Sequence, residues 1–416
     1  MPETPLPETP PPETPPPESH PAEILEYPAA RTGCPFDPPP AYTSARSRPL
    51  SRVRLWDGNS PWLITRYPQV REVLGDHRFS ADNTAPHFPF VSEASAAGLQ
   101  NRSFIRMDDP QHQRLRRMLT GDFRLTRMLQ LQPRIQQIVD DLLDALLLAG
   151  PPADFVAGFA LPLPSLVICL LLGVPYADHE FFQVRSRLLL DRSAEPTEAL
   201  RANTELSDYL SELAGDKLTE PDDGVLSELV NDHERLGELS RHEVTQMARL
   251  LLIAGHETTA NMTALGILTL LSKPDQLAAL RADPELIPGA VEELLRYLSV
   301  VHSGVARLAT EDVDVGDQLV RAGEGVLCMI NVANRDEEVF GPDTGLDVHR
   351  DARRHIAFGY GVHQCLGQPL ARIELQVALE TVLRRLPGLA LAEPVEALSF
   401  RDQMVVYGVS RLPVRW

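Results

Sequence analysis

The stretch Phe358-Gly-Tyr-Gly-Val-His-Gln-Cys365-Leu-Gly-Gln-Pro-Leu-Ala-Arg372 places three glycines and one cysteine in a turn that runs directly into an apolar-striped helix. Pro369 suits the first turn of that helix. Glycines let the backbone approach a flat molecule closely, and the N–H groups at a helix start stabilise a thiolate. The arrangement suits Cys365 as a thiolate ligand to iron, although a lone cysteine without this context is more often a buried structural residue.

A long helix is predicted upstream of this turn. Ser240 and Glu243 form a capping-box pattern, and nothing stops the helix before Lys273-Pro274. Such a helix has about 32 residues and is roughly 48 Å long. Its centre, Ala254-Gly-His-Glu-Thr-Thr259, is its least apolar part, although a helix that crosses a core is expected to be most apolar there. The centre therefore indicates a polar function.

Together, these two segments resemble the cytochrome P450 family. The pattern Phe-x-x-Gly-x-His-x-Cys-x-Gly-x-x-x-Ala resembles its haem-binding loop, and Ala-Gly-x-Glu-Thr-Thr resembles its oxygen-activation motif. The resemblance covers residues 40–416 and is greatest to soluble bacterial, ferredoxin-dependent members. It implies haem b as the cofactor and Cys365 as the axial thiolate of the iron. Phe358 and Gly359 are then cofactor-binding residues of the loop.

In the central helix, the resemblance implies that Glu257 and Thr258 are an acid and alcohol pair on the distal side of the haem. Oxygen activation consumes two protons, so a carboxylate and a hydroxyl near the iron have a chemical purpose. Gly255 is expected to leave room for dioxygen. The alternative is that Thr258 only bonds back to the carbonyl one turn earlier and bends the helix.

Glu293 and Arg296 match the ExxR pair of the family, and Arg350 occupies the place of its third partner. The resemblance implies a structural triad that holds the cysteine loop. The helical pattern by itself suggests otherwise, because the apolar stripe places Glu293 and Arg296 on the opposite face, as a solvated i, i+3 pair.

Haem propionates require cations, and four residues match the positions that supply them in the family. Charge-assisted hydrogen bonds to carboxylates explain the residue types. Each residue could also be an ordinary surface group, so the prediction depends on the whole set: His112, Arg116, Arg307 and His363.

The fold class is predicted to be mainly α with small β-sheets, the cytochrome P450 fold with its long central helix across the haem. Residues 51–57 and 61–67 read as a hairpin around Asp57-Gly58-Asn59. Helical periodicity covers 129–148, 198–218, 240–271, 290–298 and 370–386.

Residues 1–40 hold 15 of the 37 prolines and are predicted to be a disordered tail. A proline-rich docking ligand is the alternative for this tail. Residues 41–416 are expected to be a single haem-thiolate monooxygenase domain.

Composition excludes several classes of function. The net charge of −19 argues against general binding to nucleic acid or to an anionic membrane surface. Four cysteines without a CxxC pair give neither a disulfide framework nor a closed zinc site, and Ala260 stands where HExxH needs histidine. No signal peptide is apparent and no apolar run reaches the ~20 residues that span a bilayer. We expect a soluble, cytoplasmic protein without a membrane partner, and a monomer.

One segment differs from this acidic background. Residues 102–127 contain seven arginines against three aspartates, a local charge of +4. The resemblance places this segment on the proximal side of the haem, where an acidic ferredoxin would dock on Arg114, Arg117 and Arg124. The alternative is a solvated helix face with ordinary charge scatter.

The function implied is that of a cytochrome P450 monooxygenase, an oxidoreductase of secondary metabolism that inserts one atom of dioxygen into a small, largely apolar substrate by hydroxylation or epoxidation. Nitration or ring coupling, a nitric oxide reductase of the same fold and a non-catalytic haem-thiolate sensor are the alternatives, and the Glu257–Thr258 pair favours dioxygen chemistry over the last two. The pocket walls are expected, by position, in residues 87–101, 181–195, 300–305 and 403–406.

Overall fold

The computed structural model describes residues 24–97 and 102–416. Helices dominate, as predicted. Their bounds are α1 Pro40–Ala45, α2 Tyr67–Gly75, α3 Glu93–Ala97, α4 Gln111–Thr120, α5 Leu125–Ala149, α6 Pro162–Leu172, α7 His179–Leu190, α8 Pro196–Asp216, α9 Val225–Glu228, α10 Arg241–Leu271, α11 Pro274–Ala282, α12 Ile287–Leu298, α13 Ile330–Ala333, α14 Glu337–Phe340 and α15 Gln368–Arg385. Each of the five helices expected from periodicity is present, with small shifts at its ends.

The strands are short. They are β1 Leu25–Glu26, β2 Leu50–Arg54, β3 Trp62–Ile64, β4 Phe79–Ser80, β5 Ala153–Asp154, β6 Val305–Ala309, β7 Val313–Val315, β8 Gln318–Val320, β9 Gly325–Cys328, β10 Ala390–Leu391 and β11 Pro413–Arg415. The main sheet has the order β1-β2-β3-β9-β6-β4, and smaller sheets are formed by β10-β11-β5 and by β7-β8. Strands β2 and β3 pair antiparallel, which confirms the predicted hairpin.

Helix α10 is the axis of the helical body. It begins with the predicted capping box, in which the Ser240 hydroxyl accepts from the Glu243 N–H and the Glu243 carboxylate accepts from the Ser240 N–H. Helices α6, α8, α12 and α15 pack against it. Its second half is buried on all sides, from Thr259 to Leu270. A helix surrounded in this way positions whatever its centre carries inside the protein.

The N-terminal region enters the folded body earlier than expected. Residues 1–23 of the predicted tail lie outside the described residues. Within 24–40, β1 pairs with β2 in parallel, Tyr27 and Phe36 are buried, and the Tyr27 hydroxyl donates to the Ser303 carbonyl at 2.7 Å. Packed structure therefore begins before the boundary predicted at residue 41, because these aromatic side chains bury apolar surface that the proline repeats lack.

Within the described parts of the chain, none of the helices has both the length and the apolar character that a bilayer span needs.

Candidate active site

The cysteine loop is held in a sharp turn before α15. The Cys365 N–H donates to the Phe358 carbonyl at 2.8 Å, and Gly359 and Gly361 have φ angles of 76° and 75°. A Cβ on Gly361 would lie 2.3 Å from the Leu74 carbonyl oxygen. Only glycine combines this left-handed backbone with such a close approach. The glycines of the motif therefore shape the loop that presents the thiol.

The Cys365 side chain is accessible to a solvent probe, yet protein surrounds it. Burial raises the pKa of the Cys365 thiol, while the N–H groups of Gly367 and Gln368 and the charge of Arg116 lower it. The thiol is therefore both accessible and partly desolvated. The N–H groups are those expected at the start of α15, and they stabilise a thiolate at this position.

A carboxylate that sequence reasoning missed fixes both sides of the loop. The Glu292 carboxylate accepts from Arg372 Nε at 2.7 Å and lies 3.1 Å from His355 Nε2. His355 precedes the loop and Arg372 follows it, and the Arg372 guanidinium lies over the Phe358 ring at 4.6 Å. Glu292 directly precedes the glutamate of ExxR, so the adjacent acidic residue was the available signal.

The predicted triad is assembled. Arg296 donates to both carboxylate oxygens of Glu293 at 2.7 Å, and Arg350 Nε lies 3.3 Å from the same carboxylate. Glu293 and Arg296 are fully buried. The helical-wheel interpretation of a solvated pair was wrong, because Arg296 also donates to the carbonyls of Asn334 and Gly345, in the irregular segment that covers this face.

The four residues predicted to bind the propionates converge, and Arg106 joins them to form what we call the cation cluster. The rings of His112 and His363 lie 4.1 Å apart, and Arg116 donates to the Gln364 carbonyl at 2.6 Å. His112 Nε2 and His363 Nδ1 are buried without a hydrogen-bond partner among the described residues. Sequence reasoning placed Arg106 in the docking patch and missed this position.

The charges of this cation cluster favour the binding of an anion. Burial, then the charge of Arg307, lowers the pKa of Arg106 to about 10. Burial, then Arg307, His112, Arg116 and Arg106, lowers the pKa of His363 to about 3. Neither Arg106 nor Arg307 forms a salt bridge within residues 24–97 and 102–416. Mutually repelling, desolvated cations with orphaned ring nitrogens fit a group that brings two carboxylates, such as the propionates of haem.

At the centre of α10, the alternative considered for Thr258 is observed. Its hydroxyl donates to the Ala254 carbonyl at 2.7 Å. Ala254 is exposed and Thr258 partly exposed, although packed elements surround this helix. A Cβ on Gly255 would lie 2.8 Å from Ile168 Cδ1, so this glycine permits the close packing of α6 on α10. Its role in leaving room for dioxygen stays a prediction.

Glu257 is fully buried beside Thr258 and has a partner that sequence reasoning missed. Its Oε2 lies 3.3 Å from Arg401 Nη1 and 3.3 Å from Asn261 Nδ2. Gly408 packs directly on Asn261, because a Cβ there would lie 1.7 Å from Asn261 Oδ1. The C-terminal segment therefore reaches α10 and holds its acidic residue.

The arginines of the predicted docking patch divide into three groups. Arg114, one of the three residues proposed for docking, forms an ion pair with Glu243, so its charge is already neutralised within the protein. Arg117 and Arg124 are exposed and form no ion pair within the described parts of the chain. The remaining members either pair locally or face the cation cluster described above.

Three of the segments predicted as pocket walls lie together. Arg192, in 181–195, donates to the Gln403 carbonyl, and the His302 N–H donates to the Val405 carbonyl at 3.3 Å. The fourth segment is described from 87 to 97, and its residues 98–101 lie outside the described residues.

Comparison with known proteins shows the family of this chain. Residues 180–389 match the family model for cytochrome P450. Cytochrome P450-SU2 of Streptomyces griseolus is 57% identical over 95% of this chain and 98% of its own length. Pentalenic acid synthase of Streptomyces avermitilis is 51% identical over 94% of this chain and 97% of its own.

Comparison with solved structures supports the same family assignment. The mycinamicin VIII C21 methyl hydroxylase of Micromonospora griseorubida, bound to mycinamicin VIII, superposes with a TM-score of 0.90 at 43% identity, covering 94% of this chain and all of that one. Such relatives are monooxygenases that carry haem iron on a cysteine thiolate. The chain therefore belongs to the cytochrome P450 family and is a haem-dependent monooxygenase.

Proposed function

We propose that this protein uses Cys365 as the thiolate ligand of haem b and inserts one oxygen atom of dioxygen into a small, largely apolar organic substrate, with electrons from a ferredoxin. The observation that carries this proposal is the accessible, desolvated thiol on a loop bordered by the cation cluster, in which His112 Nε2 and His363 Nδ1 are buried without a partner among the described residues. When bound, haem iron with a thiolate ligand supplies dioxygen binding and cleavage. The protein itself supplies orientation, protons and exclusion of water.

Proton delivery is assigned to the centre of α10. The Thr258 hydroxyl donates its hydrogen to the Ala254 carbonyl, and its oxygen lone pairs stay available to accept from another donor. Glu257 is held by Arg401 and Asn261 one residue away. Two protons and two electrons are consumed for each oxygen atom inserted, and the second oxygen atom leaves as water. The acid and the alcohol are suited to supply those protons in a dry site.

Electron delivery is assigned to the face outside the cysteine loop. The α4–α5 connection borders the loop, since a Cβ on Gly367 would lie 4.0 Å from the Phe123 ring. Arg117 and Arg124 flank this connection and are exposed. Two exposed arginines that form no ion pair within the described residues, on the face outside the cysteine loop, suit an acidic iron–sulfur protein, in a chain with a net charge of −19.

The substrate class is proposed from the pocket walls and from the relatives. One relative is named pentalenic acid synthase, and another is named mycinamicin VIII C21 methyl hydroxylase. These names support hydroxylation in natural-product biosynthesis as the function of this protein. The mostly aliphatic and aromatic character of the predicted walls supports a largely apolar ligand. A cytoplasmic location is part of the same proposal, because a ferredoxin must reach the protein.

The test is the absorption spectrum of the reduced carbon monoxide complex of wild type and Cys365→His. We expect a strongly red-shifted Soret band in wild type that is lost in the variant. Cys34→Ser is the control, because Cys34 is exposed at the N-terminal segment and should leave the band unchanged. A band that is indifferent to Cys365 would remove the ligand assignment and the mechanism built on it.

A further inference from the structure

His256, between the glycine and the acid of the α10 motif, has no role in the mechanism so far. It is fully buried, and its Nδ1 lies 2.6 Å from the Leu252 carbonyl oxygen. A carbonyl only accepts, so Nδ1 carries the hydrogen. Burial lowers the pKa of His256, although Glu257 raises it, which favours the neutral ring. Nε2 of this ring is then an acceptor.

Glu257 has a carboxylate oxygen that likewise lacks a hydrogen-bond partner among the described residues. Its Oε2 receives Arg401 and Asn261, whereas its Oε1 has no hydrogen-bond partner among the described residues. His256 Nε2 is likewise buried and without a partner in the described chain. The two atoms lie 3.9 Å apart. Two buried acceptors therefore lie close together with no hydrogen between them.

Such an arrangement is unstable as it stands, because buried polar atoms in proteins almost always find a partner. The separation of 3.9 Å exceeds a direct N–H···O hydrogen bond, which needs about 3 Å. One water molecule can donate one hydrogen to each of two acceptors. A water between His256 Nε2 and Glu257 Oε1 would satisfy both.

We propose that one buried water bridges His256 Nε2 and Glu257 Oε1, and that His256 is a positioning residue for the acid of the oxygen-activating pair. The imidazole fixes the water, and the water fixes the carboxylate oxygen that Arg401 and Asn261 leave free. The proposal rests on the proposed function of Glu257. No bond to carbon or oxygen is made or broken at His256.

Two residues of α7 also act on the imidazole, one apolar and one cationic. Phe182 of α7 contacts the ring edge with centroids 5.7 Å apart, and Arg187 of α7 acts on it electrostatically. Arg401 binds the other carboxylate oxygen of Glu257, Oε2. None of these groups offers a hydrogen to Nε2 in the described structure, so the bridging water is the donor that remains.

The first measurement uses the carbon monoxide complex of the ferrous holoprotein, which is diamagnetic, with ¹⁵N-labelled histidine. His256 is assigned by the loss of its signals in His256→Gln. We expect Nδ1 protonated and Nε2 hydrogen-bonded as an acceptor, and we expect the Nε2 shift to change in Glu257→Gln. An Nε2 signal unaltered by Glu257→Gln would overturn the bridge.

The second measurement is product formed per reducing equivalent, together with the solvent isotope effect on electron consumption. His256→Phe keeps an aromatic ring, larger than the imidazole, but removes both nitrogens, and we expect a roughly tenfold fall in coupling and an altered isotope effect. His256→Gln restores a polar side chain and should recover part of the loss.

Phe182→Leu is the matched control, because it disturbs the packing on the same ring and leaves its nitrogens. Coupling in His256→Phe equal to wild type, or lost equally in Phe182→Leu, would overturn the positioning role. A wild-type protein that oxygenates nothing would instead contradict the proposed function, and the ¹⁵N shifts would still decide the bridge.

Discussion

Glu292 and Glu293 are neighbours in α12 whose carboxylates bind different arginines on different sides of the site. Glu292 accepts from Arg372 at 2.7 Å, after the cysteine loop, whereas Glu293 accepts from Arg296 at 2.7 Å and from Arg350 at 3.3 Å, before it. Both carboxylates are largely or fully buried. A single turn of helix therefore anchors the chain on both sides of the thiol.

Glu292 should make stability depend on acid pH. Burial raises its pKa, but His355 and Arg372 outweigh that effect and lower it from 4.5 to about 2. A lowered folded-state pKa stabilises the protein above pH 4.5, and that stability is lost as pH falls toward 2. Glu292→Gln should therefore lower the free energy of unfolding at pH 7 by about 3 kcal/mol.

Urea unfolding of the holoprotein at pH 7 and pH 3 checks this prediction. The difference between wild type and Glu292→Gln should shrink at the lower pH. Glu396→Gln, at an exposed position, is the control and should match wild type at both values. An undiminished difference at pH 3 would show that Glu292 acts through packing and not through its charge.

Arg106→Met should have effects of opposite sign on the two forms of the protein. Without haem, it removes a desolvated cation that is repelled by Arg307, so the apoprotein should become more stable. With haem, it removes one charge-assisted bond to a propionate, so haem should dissociate roughly tenfold faster.

Thermal unfolding of the apoprotein and haem transfer to an acceptor protein measure the two effects. Arg102→Met is the control, because Arg102 pairs with Asp82 at 2.5 Å. It should weaken the apoprotein slightly and leave haem loss unchanged. An Arg106→Met apoprotein that is less stable than wild type would contradict the interpretation that the Arg106 charge destabilises the protein until an anion binds.

Thr258→Ala should keep substrate binding and divert reducing equivalents to peroxide. The variant loses the partly exposed hydroxyl that is proposed to take part in proton delivery, and product per electron pair should fall roughly tenfold. Thr263→Ala is a matched control, since the Thr263 hydroxyl makes the same type of bond to the Thr259 carbonyl at 2.8 Å but is buried. Equal coupling in both variants would assign Thr258 only the helix-bonding role.

Charge reversal at Arg117 and Arg124 should weaken ferredoxin docking. We expect the double glutamate variant to raise the KM for ferredoxin roughly tenfold at low salt, and the difference from wild type to fade at high salt. Arg201→Glu, on an exposed side chain of α8, is the control. A KM unchanged at low salt would remove this face as the docking site.

Gly408→Ala should disturb Glu257 from a distance. The new methyl group would lie 1.7 Å from Asn261 Oδ1, so Asn261 must move, and its hydrogen bond to Glu257 should be lost. We expect a loss of about 1–3 kcal/mol in unfolding free energy, together with lower coupling. Wild-type coupling in a destabilised variant would show that Asn261 does not position the acid.

Local sequence patterns predicted those parts of the site in which the interacting residues lie close together in the chain. The glycines around Cys365 and the capping box of α10 act within a few residues, so their spacing is visible. Arg401 and Glu292 were missed because their partners are distant in sequence. The helical-wheel prediction that Glu293 is solvated was wrong for a related reason. Periodicity shows which face of a helix is polar, but it does not show which other segment covers that face.

The N-terminal segment has a consequence for altering substrate selectivity. Arg31 places its guanidinium 3.9 Å from the centre of the Tyr407 ring and contacts His302, and Tyr27 bonds to Ser303. The proposed pocket wall 300–305, and the residue that directly follows the wall 403–406, thus rest on side chains more than 250 positions earlier in the chain. Directed evolution aimed only at residues that surround the substrate would overlook this buttress, and shortening the chain to residue 41 would remove it.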